Sequence, residues 1–243
     1  MRTRPELSLV IPAYNEEARL EPTLREAVAY FRATGCPAEI IVVDDGSRDR
    51  TSEVVIRLSW EFEEIRLIRL AANRGKGYAV RRGMLAARGA RRLMTDADLS
   101  TPIEELDRLC ARMDEGHDVV IGSRALPGSR IEVRQPWYRE NMGRFFNLFV
   151  RALAVPGVTD TQCGFKLFSG AAARDVFSAA RLDGFSFDVE VLFLARRKGY
   201  RIAEVPVIWR NDAATRVSLL RGFLAFPDLL RIRANDWRGR YGL

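Results

Sequence analysis

An α/β architecture, a mostly parallel central sheet with helices on both faces, follows from three features of this chain. Short apolar, β-branched runs alternate with amphipathic stretches through the first half. Each run is followed at once by a cluster of polar and turn-forming residues. The 243 residues, 47% hydrophobic and 29% charged, are enough for one well-filled core and show no composition of disorder.

Leu7 to Ile11 is a short apolar strand, ended by Pro12. Glu16 to Phe31 reads as an amphipathic helix, with Leu20, Leu24, Ala27, Val28 and Phe31 at helical spacing. Glu39 to Val43 is a buried β-branched strand, and Arg50 to Leu58 a helix. Ile65 to Leu70 is a strand, Gly77 to Arg88 a helix and Arg91 to Met94 a strand. Pro102 to Met113 is a helix with proline in its first turn, and Asp118 to Ile121 is the fifth strand. Repetition of this kind gives parallel strands joined by helices.

The second half is less regular. Gly128 to Gln135 reads as a loop and Trp137 to Val155 as a helix with Met142, Phe145, Phe146, Phe149, Val150 and Leu153 on one face. Cys163 to Phe168 is strand-like, and Gly170 to Ala180 and Phe187 to Lys198 are helical. Tyr200 to Arg210 is a strand pair, or one strand interrupted at Pro206. Val217 to Arg233 is a final amphipathic helix carrying Pro227. Without repeat, linker or low-complexity tract, residues 1–243 form a single domain with a specialised C-terminal half.

Composition excludes several functions. Cys36, Cys110 and Cys163 are far apart and odd in number, which disfavours a disulfide scaffold or cysteine zinc site and fits a reducing compartment. His117 is the one histidine, too few for a histidine metal site or a Ser-His-Asp machine. No apolar run approaches the roughly 20 residues that span a bilayer, and Met1 to Glu6 lacks a signal-peptide stretch. The formal charge is +7, and all but three of the 39 basic side chains are arginine. That excess fits either genome composition or a phosphate-bearing partner, since the guanidinium fork matches phosphate oxygens.

Ligands of parallel sheets bind beyond the carboxyl ends of the strands, and the chemically interesting residues lie there. Asp96-Ala97-Asp98 places two carboxylates where they can face one hard cation, Mg²⁺ or Mn²⁺. Asp44-Asp45-Gly46-Ser47 offers a carboxylate to a base or ribose, from Asp44 or Asp45, with Ser47 or Asp49 capping the next helix. Asn73-Arg74-Gly75-Lys76-Gly77 lacks the spacing of a P-loop but lets cations approach a nucleotide.

Val10 to Glu16, Val43 to Ser47, Asn73 to Gly77 and Asp96 to Asp98, in order and each at a strand end, resemble the family 2 glycosyltransferases of GT-A fold. Gly122-Ser123-Arg124, Asp160 to Lys166 and Phe187 to Glu190 extend the resemblance to the polyprenyl-phosphate glycosyltransferase branch, which includes the dolichyl-phosphate glucosyl and mannosyl enzymes. Asp160 to Lys166 and Asp228 to Arg233 look closer to the glucosyl members, so the resemblance spans about Leu7 to Arg233.

The resemblance implies a nucleotide-sugar-binding half, 1–125, and an acceptor-binding half, 126–243. Pro12, Tyr14, Glu16, Asp44, Asp45, Arg74, Lys76, Asp96 and Ala97 would bind the donor, with Asp96 and Asp98 holding the metal. Asp98, Arg124, Asp160, Gln162 and Lys166 would surround the reaction, and Ser123, Arg124, Arg130 and Arg134 the acceptor. Ser100 stands where mannosyl relatives can carry a glutamine ligand, leaving the third metal ligand open. The implied reaction is metal-dependent inverting transfer of a hexose, glucose from UDP-glucose, to a polyprenyl or dolichyl phosphate. A phosphomonoester has a second pKa of about 6 and is already largely dianionic at neutral pH, so positioning and charge neutralisation can suffice, and whether a general base is used stays open.

The helix Trp137 to Val155, with Arg130, Arg134, Arg139 and Arg144, and the final helix with Leu219, Leu220, Phe223, Leu224 and Phe226 either pack on the core or lie in a membrane interface. A cytoplasmic protein touching the cytoplasmic face of a membrane peripherally is the expectation. Two alternatives stay open: a GDP-mannose donor, or a saccharide or other hydroxyl acceptor, for which Asp160, Asp188 or Glu190 would be the base. Nucleic acid is not expected, because the arginines are spread along the chain rather than gathered in a stripe.

Overall fold

A computed structural model describes residues 5–132, 155–210 and 225–242. The segment predicted as a helix from Trp137 lies outside them apart from Val155, as do Arg134, Arg139, Arg144 and the part of the final helix before Ala225.

The first half alternates as predicted: β1 (Leu7–Ala13), α1 (Leu20–Thr34), β2 (Ala38–Asp44), α2 (Thr51–Glu61), β3 (Ile65–Arg69), α3 (Lys76–Ala86), β4 (Arg91–Met94), α4 (Leu106–Asp114) and β5 (Val119–Ser123). There follow β6 (Arg130–Ile131), β7 (Lys166–Ser169), α5 (Gly170–Ala179), α6 (Phe187–Arg197), β8 (Ile202–Pro206), β9 (Ile208–Trp209) and α7 (Ala225–Trp237).

Several boundaries differ from the sequence reading: β1 runs through Pro12, where the sequence reading ends it, to Ala13, and α2 extends to Glu61. Helix α1 begins at Leu20, not Glu16, because the residues before it tie to the next loop: Glu16 N donates to Thr51 Oγ1 and Glu17 N to Asp49. A 3₁₀ turn at Ile103–Glu105 precedes α4, since Pro102 is extended rather than helical. Residues 128–135 are not wholly loop: Arg130 and Ile131 pair in parallel with Ile208 and Trp209. The 163–168 strand shortens to β7, because Cys163 and Gly164 serve the site described below.

Seven strands form the main sheet in the order β3-β2-β1-β4-β7-β5-β8. Only β7 runs against the others, with Lys166 opposite both Met94 and Ile121. That reversal has a positional consequence. The start of β7 lies at the edge where β4 and β5 end, so the chain entering β7 joins the strand-end loops.

Alternation along the strands divides the core. Leu9, Ile11, Ile40 and Val42 face α1, α2 and α4 through Leu24, Val28, Val55 and Leu109. Val10, Ile41 and Val43 face α3, α5 and α6 through Val80, Met84, Phe177 and Leu192. Such side chains contribute about 1.5–3 kcal/mol each when fully buried. Gly83 lets α3 approach β1 and β2 closely, since a Cβ there would lie 2.4 Å from Val10 Cγ1. Helix α6 is buried from Phe187 to Ala195, as a helix apolar on nearly every side must be.

Candidate active site

The loops at the carboxyl ends of β1 to β4 enclose a cavity of about 560 Å³. Asn15 has φ 56°, an αL position that asparagine tolerates. Its N–H donates to Ser47 Oγ and its Oδ1 accepts from Arg48 N, which staples the loop after β1 to the loop after β2. This places Pro12, Tyr14 and Glu16 on one wall.

The two aspartates after β2 divide their work. Asp44 has no exposure, and its carboxylate accepts from Ser47 N at 2.8 Å and from the Ser52 hydroxyl. It serves the turn and does not line the cavity. Asp45 lines it, accepting from Arg74 N and Gly75 N at 2.8 Å each. Burial raises its pKa, against the two backbone N–H groups that oppose the rise. Gly46 is needed here: it has φ 72°, and a Cβ would fall 2.5 Å from the Ala72 carbonyl carbon.

Lys76 enters from the first turn of α3 and pairs with Asp96 at 2.6 Å. Burial works against its charge, but Asp96, Asp188 and Asp98 together hold the ammonium above the usual lysine range. For Asp96, burial is likewise outweighed by Lys76, Lys166 and Arg124, and the carboxyl is held below its ordinary value. Arg74 is different. Its side chain is exposed, does not line the cavity, and stacks 4.5 Å from the Tyr78 ring centroid.

Asp96, Ala97 and Asp98 line the cavity together. Thr23 Oγ1 donates to Ala97 O at 2.7 Å, anchoring their turn to α1. Leu99 is held at φ 43°, a conformation leucine rarely adopts, directly after Asp98. Asp98 Oδ1 accepts from Ser100 N, so Ser100 meets Asp98 through its main chain. Gly164 supplies room for Asp96: a Cβ there would lie 2.2 Å from Asp96 Oδ2. The two carboxylates are a hard-oxygen donor pair. Among the described residues no group of three or more acids, histidines or cysteines could cage an ion. The pair therefore suits an ion such as Mg²⁺ that draws its remaining ligands from water and substrate phosphate.

Beside the cavity lies a layer of ion pairs. Lys166 is fully buried, donates to Cys163 O and pairs with Asp188. Asp160, 3% exposed, accepts from Arg124 N at 2.9 Å, Nε at 2.7 Å and Nη2 at 2.9 Å. Burial opposes the charge on Asp160, but Arg124 lowers its pKa. The Arg124 guanidinium also lies 5.4 Å from the Trp209 ring centroid. Ser123 is buried with its hydroxyl 3.3 Å from Thr159 Oγ1, Gln162 is exposed, and Arg130 lies on β6. None of these side chains lines the cavity.

Asp188 and Glu190, weighed above as bases, are taken up structurally. Glu190 is fully buried and accepts from Arg181 N, Leu182 N and Tyr241 OH, which clamps the loop before α6. That loop brings Phe185, 41% exposed, to the cavity. Sequence reasoning missed Phe185 and also Arg19, which bridges Glu16 at 2.6 Å and stands 4.0 Å from Asp98. Arg19 looked like a helix residue; its nearness to Asp98 arises only from how α1 enters.

The family described as Glycosyl transferase family 2 matches residues 8–177. Dolichyl-phosphate beta-glucosyltransferases are similar along nearly the whole chain. That of Drosophila melanogaster is 40% identical over 96% of this chain and 77% of its own length. That of Homo sapiens is 36% identical over 98% and 78%. Among solved structures, mannosyl-3-phosphoglycerate synthase from Rubrobacter xylanophilus superposes with TM-score 0.68 at 21% identity, covering 97% of this chain and 75% of that one. Glucosyl-3-phosphoglycerate synthase from Mycobacterium tuberculosis, in complex with Mn²⁺, UDP-glucose and phosphoglyceric acid, gives TM-score 0.66 at 19% identity, covering 98% and 80%. These likenesses match the GT-A fold implied by the strand-end motifs. With a match over most of its length and relatives well above 30% identity, the chain belongs to glycosyltransferase family 2.

Proposed function

We propose that this enzyme is a metal-dependent inverting hexosyltransferase that moves glucose from UDP-glucose to a polyprenyl or dolichyl phosphate. The observation that carries the reading is one cavity lined together by Asp96, Asp98, Lys76, Arg19, Tyr14 and Asp45. The names of the sequence relatives support the lipid acceptor and glucose. The complex of the mycobacterial synthase with Mn²⁺ and UDP-glucose supports the donor and a divalent ion.

A phosphate oxygen of the lipid attacks the anomeric carbon as the bond to the diphosphate oxygen breaks. The configuration inverts and UDP departs. A Mg²⁺ or Mn²⁺ held by Asp96 and Asp98 would neutralise charge on the departing diphosphate. Lys76, paired with Asp96, and Arg19, 4.0 Å from Asp98, bring positive charge to the cavity beside the two acids, so they bind and orient the diphosphate. Pro12, Tyr14, Glu16 and Asp45 seat the nucleoside, with the main-chain donors of Arg74 and Gly75 keeping Asp45 in place. Arg124, pinned by Asp160, presents its cation to the acceptor phosphate together with Arg130. Residues 1–125 thus serve mainly the donor and 126–243 the acceptor, apart from Arg124, which faces the acceptor, and Phe185, which lines the donor cavity. Lys166 and Asp188 hold each other and the Cys163 carbonyl beside the cavity and do not line it, so they support the site rather than touch the donor.

A hydroxyl acceptor would need a base. Its three candidates are committed elsewhere: Asp160 to Arg124, Asp188 to Lys166, and Glu190 to the loop before α6. This favours the phosphate acceptor. Membrane contact at the cytoplasmic face fits α7, which buries Leu229 and Ile232 yet exposes Leu230 at 66% and Trp237 at 96% beside exposed Arg231, Arg233 and Arg238. No helix among the described residues is long and apolar enough to cross a membrane.

The test is a panel of UDP-glucose, GDP-mannose and other nucleotide-sugars with a short polyprenyl phosphate, with Mn²⁺, Mg²⁺ or EDTA. The expected product is the β-linked glucosyl lipid phosphate, formed only with metal. Transfer to free saccharides in preference to the lipid phosphate would overturn the reading. Vesicles containing anionic lipid should co-sediment the enzyme.

A further inference from the structure

Glu204 is an acid in the middle of β8, opposite Ile121 of β5. Nothing in a strand requires a carboxylate there, and it belongs to none of the strand-end motifs. Its hydrogen bonds nevertheless all go to one short segment. Oε2 accepts from Thr159 N at 2.8 Å, and Oε1 accepts from Thr159 Oγ1 at 2.7 Å and from Asp160 N at 3.0 Å. Asp160 in turn holds the main-chain N–H, Nε and Nη2 of Arg124. Three residues beyond β8, Trp209 covers the Arg124 guanidinium.

We propose that Glu204 is a positioning residue for the transfer step. Through the Thr159–Asp160 turn it fixes the one orientation in which Asp160 presents Arg124. The reading rests on the proposed role of Arg124 at the acceptor phosphate. The physical reason is rigidity. An arginine side chain carries about 2 kcal/mol of rotamer entropy, which two parallel bonds to a carboxylate suppress only if that carboxylate is itself immobile. The backbone of Asp160 lies in a loop, so its immobility comes from the bonds that Glu204 accepts. A glutamine offers one carbonyl oxygen where the carboxylate offers two, and its NH₂ would face a donor at Thr159 N or Asp160 N. Glu204→Gln therefore loosens the turn while nearly conserving volume.

The experiment uses the full chain with UDP-glucose, Mn²⁺ and a short polyprenyl phosphate. Glu204→Gln should lower kcat/KM for the lipid phosphate about tenfold or more and leave the Kd for UDP with Mn²⁺ within about twofold. In an Arg124→Lys background the same change should cost little further, because the group it positions is gone; this non-additivity is the mark of coupling. Independently of turnover, the Arg124 Nε–H resonance should be protected from exchange in the parent and exposed in Glu204→Gln. Additive losses, equal weakening of donor and acceptor, or an unchanged Arg124 resonance would overturn the proposal. A parent enzyme that ignores polyprenyl phosphate while its Arg124 resonance still responds to Glu204→Gln would instead overturn the acceptor reading and leave the positioning contact standing.

Discussion

Lys76 Nζ lies 2.6 Å from Asp96 Oδ1, setting a cation from the first turn of α3 against the first acid of the turn after β4. Asp96 is 38% exposed and Lys76 20%, so the pair sits in an open cavity where water screens it. An incoming ligand can therefore reach both partners. A divalent ion taking Asp96, as the proposed function requires, would free the ammonium for a diphosphate oxygen.

Lys76→Met should therefore separate two affinities. Binding of UDP with Mn²⁺, read by calorimetry, should weaken about tenfold, equivalent to about 1.4 kcal/mol. Binding of Mn²⁺ alone should not weaken, because its competitor for Asp96 has been removed. Equal loss of both would show that Lys76 shapes the site instead of serving the donor.

Gly164→Ala tests the placement of Asp96 without touching a charge. The new methyl would lie 2.2 Å from Asp96 Oδ2, the mobile end of a side chain rather than backbone. The fold should survive with its melting temperature nearly unchanged. Metal-dependent transfer should fall at least tenfold, and Asp98→Ala should abolish it. Full activity in Gly164→Ala would remove Asp96, and full activity in Asp98→Ala would remove Asp98, from the proposed metal site.

Lys166 and Asp188 form a pair with 0% and 7% side-chain exposure. Removing one partner strands the other, at a cost of about 3–5 kcal/mol. Lys166→Met should destabilise by that order in urea unfolding, and Lys166→Met with Asp188→Leu should recover most of the loss. A donor-contacting lysine would behave differently, losing UDP affinity with stability unchanged.

Asp160 gives the pH dependence. Its folded pKa is depressed below the ordinary 3.9 by Arg124, against the opposing effect of burial. A carboxyl of this kind adds stability that is fully present above its unfolded pKa and is lost as pH falls through the folded one. The stability difference between the parent and Asp160→Asn should be constant from about pH 5 to 7 and shrink on acidification below about 3.9. We expect about 3 kcal/mol at neutral pH, the low end for a broken buried pair because Arg124 is 28% exposed. A gap that widened on acidification would contradict the depressed pKa.

The five parallel strands of the first half could be read directly, because β-branched runs and the polar residues after them are local signals. The same locality made Asp45, Lys76, Asp96 and Asp98 legible, since a parallel sheet collects whatever follows its strands on one edge. What local pattern could not carry was pairing at a distance. The reversal of β7 depends on which neighbours its backbone finds, yet it alone brings Gly164 against Asp96 and sets Lys166 opposite Met94 and Ile121. The choice between Asp44 and Asp45 turned on burial, because adjacent residues of a strand end point to opposite sides. Glu204 lay in a strand that carried no functional motif, and its partners are 44 and 45 residues away. Period and composition report what one stretch of backbone prefers, whereas an ion pair or a shared carboxylate exists only after register, strand direction and packing have brought separate stretches together.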